Sequence, residues 1–269
     1  MSKKAYLSCL SFGDLIIELN FLIRNKHIKL LTPTYNKILI DSLQINIDVE
    51  YFDYNTDEIP PLFFNFKSKK FIGIAKSFFK LLIIIFKLNK KYDIIFYENS
   101  LKWKILNLFK NFMFFKKNDQ NIYGALIEKG YYNPKIKFQQ KVNPIISIFP
   151  DSRQPEKSIP NELLTNISNL LESKKLAFKI YTNRKKINGL KFYYLNSLKK
   201  LNIIISCSDG CITADSMPLH LAAYNKINSF VFANKLNSML FPIDVIEQSR
   251  WSNFSNLSSF VNWIDKLKK

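Results

Sequence analysis

The first half of the chain alternates between short apolar runs and segments whose apolar residues recur at helical spacing. The short runs are predicted strands, at 4–11, 26–33, 47–54 and 92–99, with a further short apolar segment at 36–43. The periodic segments are predicted helices, at 14–25, 71–88 and 101–115. Because strands that alternate with helices are typical of βαβ units, we predict an α/β fold with parallel sheets.

The alternation pauses at 116–142 and then begins again. This segment is polar and contains two glycines and a proline, so we predict connecting structure with a boundary near 140. The predicted domains are therefore 1–140 and 141–269. The second domain has predicted strands at 143–150, 176–184 and 228–234 and predicted helices at 159–175, 218–225 and 256–269.

One stretch of the second half, 195–216, supports two assignments. The spacing of Leu195, Leu198, Leu201 and Ile205 fits a helix, whereas the consecutive isoleucines favour a strand. If the stretch is helical, the sequence GCITAD that follows is the strand.

Composition and charge narrow the class of protein. Hydrophobic residues make up 47% of the 269 residues, which is enough for a sizeable core and excludes a disordered chain. The net charge is +19, from 40 Lys and Arg against 21 Asp and Glu. Such a charge attracts nucleic acid, an anionic membrane surface or phosphorylated ligands. A solvated basic surface without a specific partner is the alternative.

Cysteine usage and hydropathy indicate a cytoplasmic protein. Three cysteines in a chain of this length do not form a disulfide framework, and the N-terminus does not read as a signal peptide. The most apolar window, 71–97, contains Lys76, Lys80 and Lys87, so we predict no membrane-spanning helix. Two interpretations of this window remain: a buried helix followed by a strand, or a basic and apolar helix resting on a membrane surface.

Several common catalytic and cofactor motifs are absent. The six glycines form neither G-x-G-x-x-G nor a P-loop, and no G-x-S-x-G precedes a helix. Cys207 and Cys211 are too few for a zinc site, which needs about four ligands, so they are expected to be buried and inert. We predict no metal.

Two charged sites follow predicted strands. Asp14 comes after the first strand and begins a helix, so it either caps that helix or serves as a general base at the carboxyl end of the sheet. Arg153 and Lys157 lie in the loop after the first strand of the second half. They either hold phosphate oxygens or belong to a solvated basic loop.

A third site lies at residues 213–223, TADSMPLHLAA. The strand ends at Asp215 and Ser216, and Pro218 suits the first turn of the next helix. The positive end of that helix is a natural diphosphate site, and His220 lies one turn in. His220 is either a ligand for an anionic oxygen or a packed core histidine.

These three sites resemble those of the bacterial family 9 glycosyltransferases, which include the ADP-heptose–lipopolysaccharide heptosyltransferases. The sequence FGDLI is similar to the family's Gly-Asp pair after the first strand, and PDSRQPEKSIP to its loop after the first strand of the second domain. DSMPLHLAA resembles the family's Asp-Thr-Gly-x-x-His-Leu-Ala-Ala. This chain has Met217 in place of the family's glycine, so its backbone cannot approach a ligand as freely. It also lacks the usual glycine in the loop 233–241.

The resemblance implies a GT-B fold, in which two Rossmann-like domains face a cleft. The N-terminal domain binds the acceptor, the C-terminal domain binds the nucleotide sugar, and the terminal helix packs on the N-terminal domain. The implied reaction is an inverting transfer of heptose or a related sugar, without metal or cofactor. By the same resemblance, Asp14 is the catalytic base, and the donor-binding residues are Ser152, Arg153, Lys157, Asp215, Ser216 and His220.

The implied partners are a nucleotide-sugar donor and a lipid-linked acceptor of the lipopolysaccharide, O-antigen or capsule type. The acceptor places the protein in the cytoplasm, at the anionic face of the inner membrane, with no nucleic acid. Two alternatives remain. A basic nucleic-acid-binding protein is compatible with the charge, although no known nucleic-acid-binding signature is present. A non-catalytic protein on the same fold is the other.

Overall fold

The computed structural model describes residues 3–8, 11–54, 71–98, 113–116, 120–134, 144–184 and 189–267. The chain divides into two compact units, Met1–Gln120 and Asn121–Lys269. We describe each unit by itself.

The first unit contains a five-stranded parallel sheet with the strand order β3-β2-β1-β4-β5. Its elements in chain order are β1 (Lys3–Leu7), α1 (Phe12–Arg24), β2 (Lys29–Pro33), α2 (Lys37–Leu43), β3 (Val49–Phe52), α3 (Phe71–Asn89), β4 (Tyr92–Glu98) and β5 (Met113–Lys116). The predicted alternation of strands and helices is confirmed for these elements. The short apolar segment at 36–43 is mostly the helix α2.

One predicted helix of the first unit needs correction. The predicted helix 101–115 falls largely outside the described residues, and its last residues, 113–115, belong to strand β5 instead. This strand pairs with β4 along Ile95, Phe96 and Glu98. Apolar runs as short as MFFK carry no reliable period, so backbone pairing with a neighbouring strand decides their conformation.

The second unit contains a six-stranded parallel sheet with the order β11-β10-β9-β6-β7-β8. Its elements are α4 (Ile122–Glu128), β6 (Ile145–Phe149), α5 (Asn161–Ser173), β7 (Ala177–Thr182), β8 (Phe192–Tyr194), α6 (Leu198–Ser206), β9 (Gly210–Ala214), α7 (Met217–Tyr224), β10 (Ser229–Phe232), α8 (Ile243–Glu247), β11 (Trp251–Ser252) and α9 (Ser258–Leu267). The ambiguous stretch 195–216 is the helix α6 followed by β9. Ser197 caps α6 by accepting a hydrogen bond from the Lys200 N–H at 3.4 Å.

The second unit begins at Asn121, ahead of the predicted boundary at 140, because the segment predicted as a connection contains α4. The Asn121 side chain accepts a hydrogen bond from the Gly124 N–H at 3.0 Å and so caps this helix. Its amide nitrogen donates to the carbonyls of Ser238 at 2.6 Å and Phe241 at 3.0 Å. The helix therefore packs with residues distant in sequence, which no local pattern reveals.

The terminal helix α9 contributes to the core of the second unit. Its side chains Phe260, Trp263, Ile264 and Leu267 are buried together with those of the sheet and of α5. The Trp263 indole N–H also donates to the Asn228 side chain at 3.0 Å. This packing differs from the predicted one, in which the terminal helix lies on the N-terminal domain. The apolar face of α9 is satisfied by strands of its own unit.

Candidate functional site

Three loops of the second unit leave the sheet at its carboxyl edge. β9 lies between β6 and β10, with Phe149 in register with Thr213 and Phe232 in register with Ala214. Because parallel strands end at the same edge, the residues after β6, β9 and β10 lie side by side there. This is the edge at which open α/β sheets bind ligands.

Lys157 and Asp215, two of the predicted donor-binding residues, are in direct contact at this edge. The Lys157 ammonium lies 2.8 Å from the Asp215 carboxylate. The lysine side chain is 38% exposed and the aspartate side chain 12% exposed. The Lys157 ammonium is therefore held in place by a mostly buried carboxylate and is still reachable from solvent, so it can also contact the phosphate oxygens of a ligand.

Helix α7 begins immediately after Asp215. Ser216 is the N-cap residue in extended conformation, its hydroxyl makes no cap hydrogen bond, and Pro218 occupies the first turn. Helix N-termini carry backbone N–H groups without partners inside the helix and a partial positive charge. The start of α7 and the Lys157 ammonium therefore combine positive groups suited to a diphosphate.

Met217 is the first residue of α7 and is partly buried. It is not among the described residues with positive φ, so the backbone here does not require glycine. At this position the chain therefore carries the bulk of a methionine side chain on an ordinary backbone conformation.

His220 lies one turn inside α7, and its side chain is buried. The Tyr123 hydroxyl lies 3.1 Å from His220 Nδ1, and the two rings stack with centroids 6.2 Å apart and planes 18° apart. Tyr123 belongs to α4, in the segment that the sequence predicted as a connection, so its role was missed. The contact fixes the orientation of the imidazole. Whether His220 also binds a ligand stays a prediction.

Ser152 and Arg153 occupy the loop after β6 in different ways. The Ser152 hydroxyl accepts a hydrogen bond from the Gln154 N–H at 3.3 Å, and the Ser152 N–H donates to the Ser158 hydroxyl at 2.9 Å. Ser152 therefore helps to hold the loop in shape. Arg153 is exposed, so its guanidinium is accessible from solvent.

A clamp between Asp151 and Arg184 holds the same loop, and the sequence did not reveal it. The Arg184 Nε lies 2.6 Å from the Asp151 carboxylate, and the guanidinium also donates to the carbonyls of Pro150 and Ile159 at 3.2 and 3.3 Å. The other Asp151 oxygen accepts from the Thr182 hydroxyl at 2.7 Å. Both ends of the loop are thereby tied to the end of β7. Asp151 lies two residues after the end of β6, and this position is the signal that the sequence carried.

The loop after β10 contacts the loop after β6. The Asn234 side-chain amide donates to the Glu156 carbonyl at 2.6 Å, next to Lys157 in the chain. Asn234 lies in the stretch 233–241 that lacks the family's glycine. A side-chain amide therefore joins the two loops in this chain.

Asp14 lies in the first unit, as the third residue of α1. The N-cap position belongs to Ser11, so the prediction that Asp14 itself caps the helix is wrong. The Ser11 hydroxyl donates to the Asp14 carboxylate at 2.7 Å, and Asp14 is partly buried. The prediction that Asp14 is a general base is compatible with this position and stays a prediction.

Glu18 lies one helical turn after Asp14 and is fully buried. One of its oxygens accepts a hydrogen bond from the Tyr6 hydroxyl at 3.0 Å. The pKa of Glu18 is raised to about 8, mainly because burial disfavours the charged form; hydrogen bonding with Ser8 and Tyr6 opposes this rise, and the nearby Asp14 charge adds to it. Glu18 is therefore largely protonated at neutral pH. In the sequence it only interrupts an apolar run.

The described ranges contain no group of three or more His, Cys, Asp or Glu side chains that could hold a metal ion. Cys211 is buried, and burial raises the pKa of its thiol to about 12, so this thiol is unreactive at neutral pH. Cys207, which the sequence predicted to be buried, is exposed at the end of α6. Of the helices that the structure describes, none is long and apolar enough to cross a lipid bilayer.

Sequence comparison and structure comparison give different results. No family model and no curated protein sequence matches the chain. Solved structures do match over nearly the whole chain. A family 9 glycosyl transferase from Veillonella parvula is 12% identical with a TM-score of 0.64, and the match covers 99% of this chain and 97% of that one.

Two further solved structures share the fold. ADP-heptose lps heptosyltransferase II of E. coli is 12% identical with a TM-score of 0.58, and the match covers 98% of each chain. UDP-GlcNAc 2-epimerase of Methanocaldococcus jannaschii is 10% identical with a TM-score of 0.54, and the match covers 98% of this chain and 92% of that one.

These likenesses confirm the predicted fold class. The two parallel sheets have the GT-B architecture, and the resemblance to family 9 glycosyltransferases extends to the fold of nearly the full chain. At such low identity the comparison establishes the fold alone. The fold also hosts an epimerase, so the choice of reaction depends on the site residues.

Proposed function

We propose that the chain is an inverting glycosyltransferase that moves heptose or a related sugar from a nucleotide-sugar donor to a lipopolysaccharide, O-antigen or capsule-type glycan. The observation that carries the proposal is the contact of Lys157 with Asp215 beside the start of α7. This contact supports the proposal because positive groups suited to a diphosphate lie at the carboxyl edge, where open α/β sheets bind ligands. The names of the two similar enzymes above, a heptosyltransferase and an epimerase, both contain a nucleotide sugar.

The proposed donor site is the carboxyl edge of the second unit. Lys157 leaves Asp215 for a phosphate oxygen, and the Met217 N–H at the positive end of α7 binds another, since Pro218 has no N–H and the Leu219 N–H donates to the Ser216 carbonyl at 3.0 Å. Arg153 reaches the same charge from solvent, while Ser152 holds the loop in place. Asp215, Ser216 and His220 line the site, and Tyr123 orients His220.

The proposed reaction is a single displacement. The acceptor hydroxyl oxygen bonds to the anomeric carbon as the bond from that carbon to the diphosphate oxygen breaks, and configuration inverts. The electron pair leaves with the diphosphate, whose charge Lys157 and α7 stabilise. The hydroxyl proton passes to the Asp14 carboxylate. This chemistry uses neither a metal nor a cofactor.

The proposed acceptor is lipid-linked, which places the protein in the cytoplasm and peripherally at the anionic face of the inner membrane. The net charge of +19 supports this location, since each Lys near such a surface contributes on the order of 1 kcal/mol.

A panel of nucleotide sugars in a thermal-shift assay, followed by a transfer assay with the stabilising compound, tests the proposal. A true donor at 100 times its Kd stabilises the folded state by about 2.7 kcal/mol. No shift with any member, together with tight DNA binding that weakens steeply with salt, would instead support the nucleic-acid-binding alternative. Donor binding without turnover, unchanged in Asp14→Asn, would support a non-catalytic member of the fold.

A further inference from the structure

Helix α3 presents apolar side chains on two opposite sides. On one side Leu81, Ile85 and Leu88 are buried in the core of the first unit, with Ile94 of β4. On the other side Phe79, Ile83 and Phe86 are 64%, 57% and 54% exposed. Their spacing of four and three residues aligns them along one line of the helix. A helix at the surface of a globular protein normally carries polar residues there.

Lysines border this line of exposed residues. Lys87 and Lys90 are exposed, and the Lys90 ammonium lies 4.8 Å from the centre of the Phe86 ring. Lys80 precedes Lys87 by seven residues, which puts both on the same side of the helix. The sequence of α3 contains no Asp or Glu. We call Phe79, Ile83 and Phe86, with Lys80, Lys87 and Lys90, the α3 stripe.

We propose that the α3 stripe docks on an anionic lipid bilayer, with α3 lying in the plane of the membrane. Phe79, Ile83 and Phe86 enter the boundary between headgroups and acyl chains, and the lysine ammonium groups reach the lipid phosphates. Such a contact accounts for both the apolar residues and the single sign of the charge. Its purpose, holding the enzyme near a lipid-linked acceptor, rests on the proposed function. The docking itself does not.

The charge of the α3 stripe favours a membrane over two other occupants. A second copy of the chain pairing through the same stripe would bring two rows of lysines together in a protein of net charge +19. Nucleic acid would satisfy the lysines but would leave the exposed apolar area of Phe79, Ile83 and Phe86 in water. An anionic bilayer satisfies both sets of side chains.

Flotation of the full chain with vesicles tests the proposal directly. We expect binding to vesicles of phosphatidylcholine with 30% phosphatidylglycerol, and weak binding to phosphatidylcholine alone. The variant Phe79→Ser/Ile83→Ser/Phe86→Ser should lower the partition coefficient by about a hundredfold, because it removes most of the apolar area that enters the membrane. The matched control Ile38→Ser/Tyr194→Ser/Ile203→Ser changes three other exposed apolar residues and should partition as the parent does.

The lysines are tested in the same assay. Lys87→Gln/Lys90→Gln should weaken binding to anionic vesicles by on the order of tenfold, and the effect should shrink as salt rises. Lys199→Gln/Lys200→Gln removes the same charge from exposed positions of α6 and should have a smaller effect. Equal losses in the two variants would mean that overall charge, and not the α3 stripe, attracts the membrane, which would overturn the proposal.

A fluorescent probe tests membrane insertion directly, without relying on variants that bind vesicles less well. Ile83→Trp should show a blue-shifted emission with anionic vesicles and quenching by brominated lipids. Unchanged emission in the presence of bound vesicles would overturn the proposal. So would loss of self-association, measured by sedimentation, in the serine variant, since that result would identify a second copy as the occupant. Donor binding, measured without lipid, is unaffected by either outcome and tests the proposed function separately.

Discussion

Asp14 in the first unit and Asp215 in the second both follow an inner strand of a parallel sheet, and each lies in or next to the first turn of a helix. Their surroundings differ. Asp14 receives a hydrogen bond from the Ser11 hydroxyl, and the buried Glu18 follows one turn later. Asp215 is paired with the Lys157 ammonium. The helix after β1 thus carries two acidic side chains, whereas the carboxylate after β9 is paired with an ammonium group.

This difference suggests a division of labour. A carboxylate that accepts a hydrogen bond from a hydroxyl keeps acceptor capacity for a second proton donor, which suits a base. A carboxylate that neutralises a lysine keeps that lysine in place for an anionic ligand, which suits a phosphate site. We call Asp14 with Glu18 the first corner and Asp215 with Lys157 the second corner. If their roles differ in this way, substitutions in the two corners should affect different steps.

The largest effect is expected for Asp14→Asn. Transfer should fall by about a thousandfold or more, because the amide cannot accept the proton of the acceptor hydroxyl, while the donor Kd stays within about twofold. Turnover and calorimetric donor binding check this. Asp41→Asn, at an exposed position of α2, is the control. A raised donor Kd would show that Asp14 is structural, and it would contradict the proposed difference between a base in the first unit and a phosphate site in the second.

The buried carboxyl of the first corner should make stability depend on pH. The pKa of Glu18 is raised in the folded state, to about 8 from an ordinary value of 4.5, so the folded chain binds an extra proton between these values. Its contribution to stability is present in full below about pH 4.5 and is lost as pH rises through about 8. Between pH 5 and pH 8 the free energy of unfolding of the parent should therefore fall by about 2–4 kcal/mol through this group, and Glu18→Gln should abolish that fall.

Urea unfolding at several pH values measures how the free energy of unfolding changes with pH, which we call the pH slope. Glu162→Gln, at an exposed position of α5, should leave the parent's slope in place. If Glu18→Gln also leaves it in place, Glu18 is ionised in the folded protein, and the first corner is more acidic than we infer.

The second corner is tested by Lys157→Gln. Donor Kd should rise by about ten- to a hundredfold, because a charge-assisted contact with phosphate contributes about 1.5–3 kcal/mol. Lys235→Gln removes an exposed charge from the loop after β10 and serves as the matched control. Equal, small changes in both variants would show that Lys157 acts only through the general field of a basic protein.

The smallest effect is expected for Tyr123→Phe. Loss of the hydroxyl at His220 Nδ1 should cost about 1 kcal/mol of unfolding free energy, since a buried hydrogen bond is removed while the ring remains. Urea unfolding measures this cost. If donor Kd also rises, the orientation of His220 matters for the ligand. An unchanged donor Kd in both Tyr123→Phe and His220→Ala would identify His220 as a core residue.

The local pattern of apolar and polar residues was sufficient to predict many of the helices and strands of this protein. The helices α1 and α5 and the apolar strand β6 follow from the order of apolar residues, because helices and strands bury faces of fixed period. Parallel strands end at a common edge of a sheet, so charged residues that follow predicted strands were predicted to lie at a ligand-binding edge. Asp14, Lys157 and Asp215 were predicted as site residues in this way.

Only the tertiary structure revealed the partners of those residues. The contact of Tyr123 with His220 joins residues 97 apart, and the clamp of Arg184 on Asp151 joins neighbouring loops, so neither leaves a periodic trace in the chain. The burial of Glu18 and the exposure of Phe79, Ile83 and Phe86 also contradict what residue type suggests. Sequence period determines which elements form, whereas the charge state and accessibility of a side chain depend on what the folded chain packs around it.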